Sequence, residues 1–271
     1  MGTPGRRSLA RQRHELIVSH LRRAGAVRVT ELAEQLQVSE MTVRRDLDAL
    51  HDAGLVEKVH GGATIRFERA ADEPGFGAKL HRNRDEKTAI AASAAGLVSA
   101  GAAIGITAGT TTVQLARELV NVPQLTVVTN SIPVADVFFA SPRADRSVIV
   151  VGGERTPSDA LVGPVAVASL AAFHLDAVFM GVHGMHPRAG FTTPNLAEAE
   201  ANRAFRQATD QLVVLADHTK WGITGLATIA ALDECHVCVT DTGLAAEARG
   251  VLEQNVGRLV VSQPVRAGRS A

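Results

Sequence analysis

Along the first quarter of the chain, apolar positions recur with helical spacing. Between residues 11 and 24, Leu16, Ile17, Val18 and Leu21 stand among arginines and histidines, and Gly25 follows as a natural C-terminal stop. This predicts a first amphipathic helix. Val27 to Val29 reads as a short extended bridge, and Thr30 is expected to cap a second helix that runs to Leu36 with Leu32, Ala33 and Leu36 inward. Gln37 and Val38 supply a turn. Ser39 then caps a third helix, because its hydroxyl can accept an orphan amide of the first turn and Glu40 suits the positive end of the dipole. Val43, Leu47 and Leu50 fall at i, i+4 and i+7 and form a single stripe, which turns Met41, Arg44, Arg45 and Asp48 to the flanks and outer face. After Ala53 and Gly54, Leu55 to Val59 reads as a strand, His60-Gly61-Gly62 as a turn and Ala63 to Phe67 as a returning strand. The expectation is a helix-turn-helix followed by a two-stranded wing.

The period changes in the remainder. Residues 68–84 contain Pro74, Gly75 and Gly77 without a sustained pattern and read as a linker between domains at 9–67 and 85–262. A helix is expected from Asp85 to Ser99. Apolar strands follow at Ala103–Thr107, Leu125–Thr129, Ser147–Val151, Ala177–Val182, Leu212–Ala216, Val237–Thr240 and Arg258–Val261. Between most of them lie helical segments at Thr112–Leu119, Val134–Ala140, Val165–Ala172, Leu196–Ala208 and Leu244–Gln254. Strands apolar on both faces and separated by helices predict an open, mostly parallel α/β sheet covered on both sides.

Bulk properties narrow the class without setting it. No apolar run reaches the ~18–20 residues of a membrane helix, and residues 1–13 are basic and polar with no apolar segment behind them. A cytoplasmic protein without membrane contact is expected. The 28 Lys/Arg and 28 Asp/Glu cancel overall. Residues 1–69 nevertheless carry twelve Lys/Arg against nine Asp/Glu, so the N-terminal part is the candidate for meeting a polyanion. Cys235 and Cys238, expected on opposite sides of one strand, read as buried reduced thiols rather than a metal pair, and no metal or cofactor is expected.

The outer face of the third helix carries the first chemistry. A winged helix-turn-helix places its second motif helix in the major groove of double-stranded DNA, where arginine can fork onto a guanine edge or neutralise phosphate. The candidate contacts are Ser39, Met41, Thr42, Arg44 and Arg45, with His60 and Gly61 on the wing. An isolated Arg-Arg pair would more often be a solvated face paired with Asp46 and Asp48; helix count, turn and wing together favour DNA. The run Val-Ser-Glu-Met-Thr-Val-Arg-Arg-Asp-Leu at 38–47, followed by His-Gly-Gly-Ala at 60–63, resembles the N-terminal domain of DeoR-family bacterial transcription regulators. That resemblance implies a homo-oligomeric, operator-binding repressor of a sugar or polyol catabolic operon, relieved by a phosphorylated metabolite.

The second chemistry collects at the expected carboxyl ends of the strands, where helix N-termini point. Thr107 and Gly109-Thr110-Thr111-Thr112 lead into a helix, Asn130 follows the second strand, Gly152-Gly153 the third, His183 the fourth, and Asp217 with Lys220 the fifth. Small residues and hydroxyls at a helix start suit phosphate, Lys220 supplies a point charge, and Asn130 and Asp217 suit sugar hydroxyls. The resemblance extends here, since the sensor domain of the family is similar in fold to ribose-5-phosphate isomerase. The isomerase carries paired carboxylates in the loop matching Gly181-Val182-His183-Gly184, and here there are none, which implies binding without turnover. His183 and Glu198 remain the acid/base candidates of an alternative, a sugar-phosphate isomerase-like enzyme with an accessory DNA-binding domain. A nonspecific nucleoid-binding protein is a third reading.

Overall fold

The computed structural model describes residues 13, 14, 16–21, 24–52, 56–59, 61–65 and 75–264. Contacts divide the chain into two units, Met1–Glu68 and Arg69–Ala271.

In the first unit a helical stretch at 16–21 precedes strand β1 (Ala26–Arg28), helix α1 (Val29–Leu36), helix α2 (Glu40–Asp52) and strands β2 (Val56–Val59) and β3 (Gly62–Ile65). Ile17, Leu21, Leu32, Val43, Leu47 and Leu50 are all buried in one small core with Val27, Val56 and Ala63. Of the apolar positions expected in the first amphipathic helix, Ile17 and Leu21 are buried and Leu16 is 55% exposed. Ile17 and Leu21, four apart, define the stripe, and Leu16 lies about 100° away from Ile17. Thr30 does not cap α1. The helix begins two residues earlier than that cap implies, with Arg28 as N-cap, whose amide donates to the Glu31 carboxylate at 3.3 Å. The sheet has three strands rather than two, in the order β1-β3-β2 and antiparallel throughout. The bridge at Val27 pairs with the returning strand because Gly62 lacks a side chain; a Cβ there would stand 2.1 Å from the Val27 carbonyl oxygen.

In the second unit, helix α3 (Phe76–Leu80) occupies part of the segment expected as linker, and helix α4 (Arg84–Ala95) follows. A seven-stranded sheet has the order β15-β14-β12-β9-β4-β5-β6, comprising β4 (Ala103–Ile106), β5 (Thr126–Thr129), β6 (Ser147–Val150), β9 (Ala177–Gly181), β12 (Leu212–Leu215), β14 (Val237–Asp241) and β15 (Arg258–Ser262). Every pairing in it is parallel. Helices α5 (Thr110–Leu119), α6 (Ile132–Phe139), α7 (Pro164–Leu170), α8 (Leu196–Gln207) and α9 (Ala246–Asn255) accompany it. Two apolar clusters bury strand side chains, one with Val178, Met180 and Val214 and the other with Ile104, Ile106 and Phe179. Successive residues of β9 thus enter different clusters, as the alternation of a strand requires.

Small antiparallel sheets were not anticipated. The pair β7 (Glu154–Arg155) and β8 (Leu161–Val162) forms one, and β10 (Gly184–His186), β11 (Gly190–Thr193) and β13 (Ala227–Ala230) form another. Gly153, at φ +131°, approaches β8 so closely that a Cβ would lie 2.2 Å from the Val162 oxygen. Cys235 ends the turn Leu232–Glu234 instead of lying in β14 with Cys238. The thiols are buried and free, but they do not face apart: a hydrogen bond with Cys235, reinforced by burial, pushes the Cys238 thiol well up. No described helix is long and apolar enough to cross a membrane.

Candidate nucleic-acid interface and anion site

The turn between α1 and α2 is set by Gln37, left-handed at φ 52°, which releases α1 and lets the Val38 amide return to the Ala33 carbonyl at 3.1 Å. Ser39 then starts α2, its hydroxyl accepting the Thr42 amide at 3.2 Å and lying 2.9 Å from the Thr42 hydroxyl. With Val43, Leu47 and Leu50 inward, Met41, Arg44 and Arg45 are exposed. Arg44 is tied to Glu40 one turn back at 3.1 Å, whereas Arg45 is in no ion pair among the described residues. Gly61 turns the wing at φ +77°, and His60 lies outside the described residues.

The other charges of α2 do not pair with its arginines. Asp48 takes the ammonium of Lys58 from β2, which adds a cation on the wing side that sequence reading did not single out. Asp46 is buried and receives Arg13 Nη2 at 2.9 Å and His14 Nε2 at 3.0 Å. Burial raises the Asp46 pKa, but the hydrogen bonds and charges of Arg13 and His14 outweigh it and the net shift is downward. A depressed carboxylate contributes stability that is complete above its ordinary value of 3.8 and is lost as pH falls through the native value. Asp46→Asn is expected to flatten that acid limb, measured as the urea midpoint of the first unit between pH 5 and pH 2.

In the second unit the strand order gives the rim its meaning. The chain moves from β4 to β5 and β6 on one side, then crosses to β9, β12, β14 and β15 on the other, so the order reverses between β4 and β9. Ligands of open α/β sheets bind in the crevice at such a reversal, beyond the carboxyl ends of the strands. Thr107, directly after β4, is fully buried, its hydroxyl accepting the Gly181 amide at 3.2 Å and so joining the two sides of the crevice. A Cβ on Gly109 would meet Gly181 Cα at 3.7 Å, so the two glycines stand side by side. The first turn of α5 opens beside them with free helix amides.

The threonines of that turn differ in role. Thr112 donates to the Gly109 carbonyl at 2.8 Å and is spent on the turn. Thr110 and Thr111, each 7% exposed, have no side-chain hydrogen bond among the described residues. Asn130 is also committed: its Oδ1 accepts the Ala108 amide at 3.1 Å and its Nδ2 donates to the Leu161 carbonyl at 3.2 Å. These bonds fix it in the crevice wall and leave one Nδ2 hydrogen for a ligand. Gly152 and Gly153 lead into β7, where Gly153 lets the backbone lie against Val162 of β8 and Gly152 sits beside Val165. His183 is half-buried next to β11, its amide on the Thr192 carbonyl at 3.0 Å. Glu198 is held by the hydroxyls of Thr156 at 2.7 Å and Thr193 at 3.4 Å.

Asp217 and Lys220 close the rim after β12. Asp217 is buried and its Oδ1 accepts from the Thr219 amide at 3.1 Å, the Thr219 hydroxyl and Asn83 Nδ2 at 3.0 Å, so this oxygen organises protein rather than ligand. Sequence reading missed Lys87 of α4. Its buried ammonium donates to the Lys79 carbonyl at 2.7 Å and the Arg82 carbonyl at 2.6 Å. Burial pushes its pKa down to about 8, with the charges of Lys220, Lys79 and Arg82 acting in the same sense against Asp217. Lys79, Arg82 and Lys220 thus add positive charge around Lys87, with Asp217 opposing them, an arrangement that favours an anion. His218 and Asp241 form a neighbouring pair at 2.8 Å in which the hydrogen bond to Asp241 holds the histidine pKa up.

Known proteins agree with this division. Residues 13–68 match the DeoR-like helix-turn-helix domain and residues 82–242 the DeoR C terminal sensor domain. The HTH-type transcriptional regulator GolR of Listeria innocua is 35% identical over 231 residues, covering 85% of this chain and 90% of that protein. The transcriptional repressor AccR of Agrobacterium fabrum is 30% identical over 252 residues, covering 92% and 96%. Among solved structures, a ribose 5-phosphate isomerase from Methanocaldococcus jannaschii aligns with 51% of this chain and 55% of its own at 18% identity and a TM-score of 0.38. The helix-turn-helix with its outward arginines and the parallel sheet behind it thus identify the chain as a member of the DeoR family, a DNA-binding transcriptional regulator.

Proposed function

We propose that this protein is a cytoplasmic repressor that binds operator DNA as a homo-oligomer and leaves it when a phosphorylated sugar occupies the crevice between β4 and β9. The operon would serve sugar or polyol catabolism. The observation that carries the effector assignment is the pair of hydroxyls of Thr110 and Thr111, without a hydrogen-bond partner among the described residues, at a helix N-terminus on the strand-order reversal. Lys220 adds a cation from the neighbouring rim loop, and Thr107, Gly109, Thr112, Asn130, Gly152, Gly153 and Asp217 shape the walls, with His183 at the margin. The single small DNA-binding unit, with a modest surplus of basic residues, supports oligomerisation, since two linked copies multiply affinity.

A panel of pentose and hexose phosphates, with the unphosphorylated sugars as controls, tests the effector by thermal shift. At least one phosphate ester is expected to raise the melting temperature where its parent sugar does not. Thr111→Val and Lys220→Ala are each expected to weaken that ligand about tenfold, the loss of one charge-assisted hydrogen bond. Equal responses to sugar and ester would overturn the phosphate assignment.

A further inference from the structure

The segment expected as a linker is built onto the rim. The Phe76 amide donates to the Pro157 carbonyl at 3.0 Å, and Lys79 Nζ donates to the Ser158 hydroxyl at 2.9 Å. Asn83 is left-handed at φ 50°, and its amide nitrogen reaches both Asp217 Oδ1 at 3.0 Å and Thr219 Oγ1 at 3.2 Å. The carbonyls of Lys79 and Arg82 hold the buried Lys87 ammonium. Helix α3 itself buries no residue. Residues 76–83 are therefore fixed by a few directed polar bonds to the rim loops at 156–158 and 217–219, with Phe76 as the apolar contact. Segments held in this way open at low free-energy cost.

We propose that residues 76–83 form one wall of the anion site and carry its occupancy towards the first unit, with Asn83 and Lys79 as positioning residues. The charges explain why this wall responds to an anion. Lys79, Arg82 and Lys220 each disfavour the charge of Lys87, and Asp217 opposes them. An anion among them removes that repulsion and draws the cations of the wall and of the 217–220 loop together. The wall is joined covalently to residues 1–68, so a change in its position is a change in the chain that leads to the reading helix. Coupling between sites is reciprocal, so DNA binding must act back on the same wall and rim.

The inference rests on the effector reading only for the nature of the anion, and its test uses operator DNA alone. Hydrogen exchange is measured on the full chain, free and bound to a fragment selected from random-sequence DNA. Exchange is expected to change in 76–83 and also in 156–158 and 217–220 when DNA binds. Asn83→Gly keeps the left-handed backbone while deleting both side-chain bonds; Lys79→Ala removes the Ser158 contact without touching that turn. In both, the response is expected to persist in 76–80 and to shrink to near zero in 217–220 for Asn83→Gly and in 156–158 for Lys79→Ala. An unchanged rim response in both variants, or no response of 76–83 in the wild type, overturns the proposal. Failure of every sugar phosphate to bind, with this DNA response intact, would overturn the effector reading and leave the coupling standing.

Discussion

Leu47→Ala is expected to abolish DNA binding at physiological temperature without lowering the melting of the second unit. Leu47 is 2% exposed and packs in the core that joins the helix at 16–21, α1, α2 and the three-stranded sheet. Truncating a buried leucine costs about 2–5 kcal/mol, because the lost transfer energy is joined by the cavity left behind. A domain of this size holds on the order of 3–10 kcal/mol in total, so the loss removes much or all of its margin. The second unit has its own hydrophobic cores. Calorimetry should show the first transition shifted or absent while the second stays in place. Leu16→Ala is the control: at 55% exposure it should change stability by less than about 0.5 kcal/mol. Equal melting and equal DNA affinity for Leu47→Ala and wild type would show that α2 is not seated by this stripe.

How much of this was legible before the structure depends on the range of the interaction. The stripe at Val43, Leu47 and Leu50 is a local signal, fixed by helical period, and α2 follows from it. All seven strands of the parallel sheet were legible as short continuous apolar runs, which is how strands covered on both faces are written, although the edge strand β6 leaves Ile149 and Val150 exposed. The strand order was not. It is a property of crossovers, and without it Thr107 and Gly181 are merely the ends of strands; with it they flank the reversal where a ligand can sit. The short strands around Gly153 and Gly190 depend on close backbone approach, which leaves only a glycine as its trace in the sequence.

Side-chain commitments were harder still. Asn130 and Asp217 look like ligands by residue type, yet both are tied to protein partners far along the chain. Lys87 went the other way: amid Arg-Asp-Glu-Lys at the start of a helix it reads as solvated, and only the return of residues 79 and 82 over it buries its charge. Asp46 sits next to two arginines in sequence and pairs with neither, because helical geometry turns it inward towards Arg13 and His14.

The same distinction sets the largest expected effect on specificity, which falls on Arg45 rather than Arg44. Both are exposed on α2, but Arg44 is bound to Glu40 at 3.1 Å, so placing it on DNA means exchanging one anion for another. That exposed pair is itself worth about 0.3–0.5 kcal/mol, a small but real offset. Arg45 has no such partner among the described residues, and its full interaction is available to the groove. If Arg45 forks onto a base, Arg45→Ala costs about 1–3 kcal/mol at each half-site, and a two-fold oligomer incurs it twice, for a combined loss of about 30-fold to about 10⁴-fold in affinity. Arg45→Lys keeps the charge but not the planar fork, so it should recover nonspecific binding while discrimination between operator and scrambled DNA stays low. A phosphate contact predicts the reverse pattern: Arg45→Lys restores nearly all affinity, and Arg45→Ala lowers the salt dependence by about one counterion per copy. Fluorescence anisotropy across a salt series separates these outcomes, and an unchanged operator affinity in both Arg44→Ala and Arg45→Ala would remove α2 from the groove altogether.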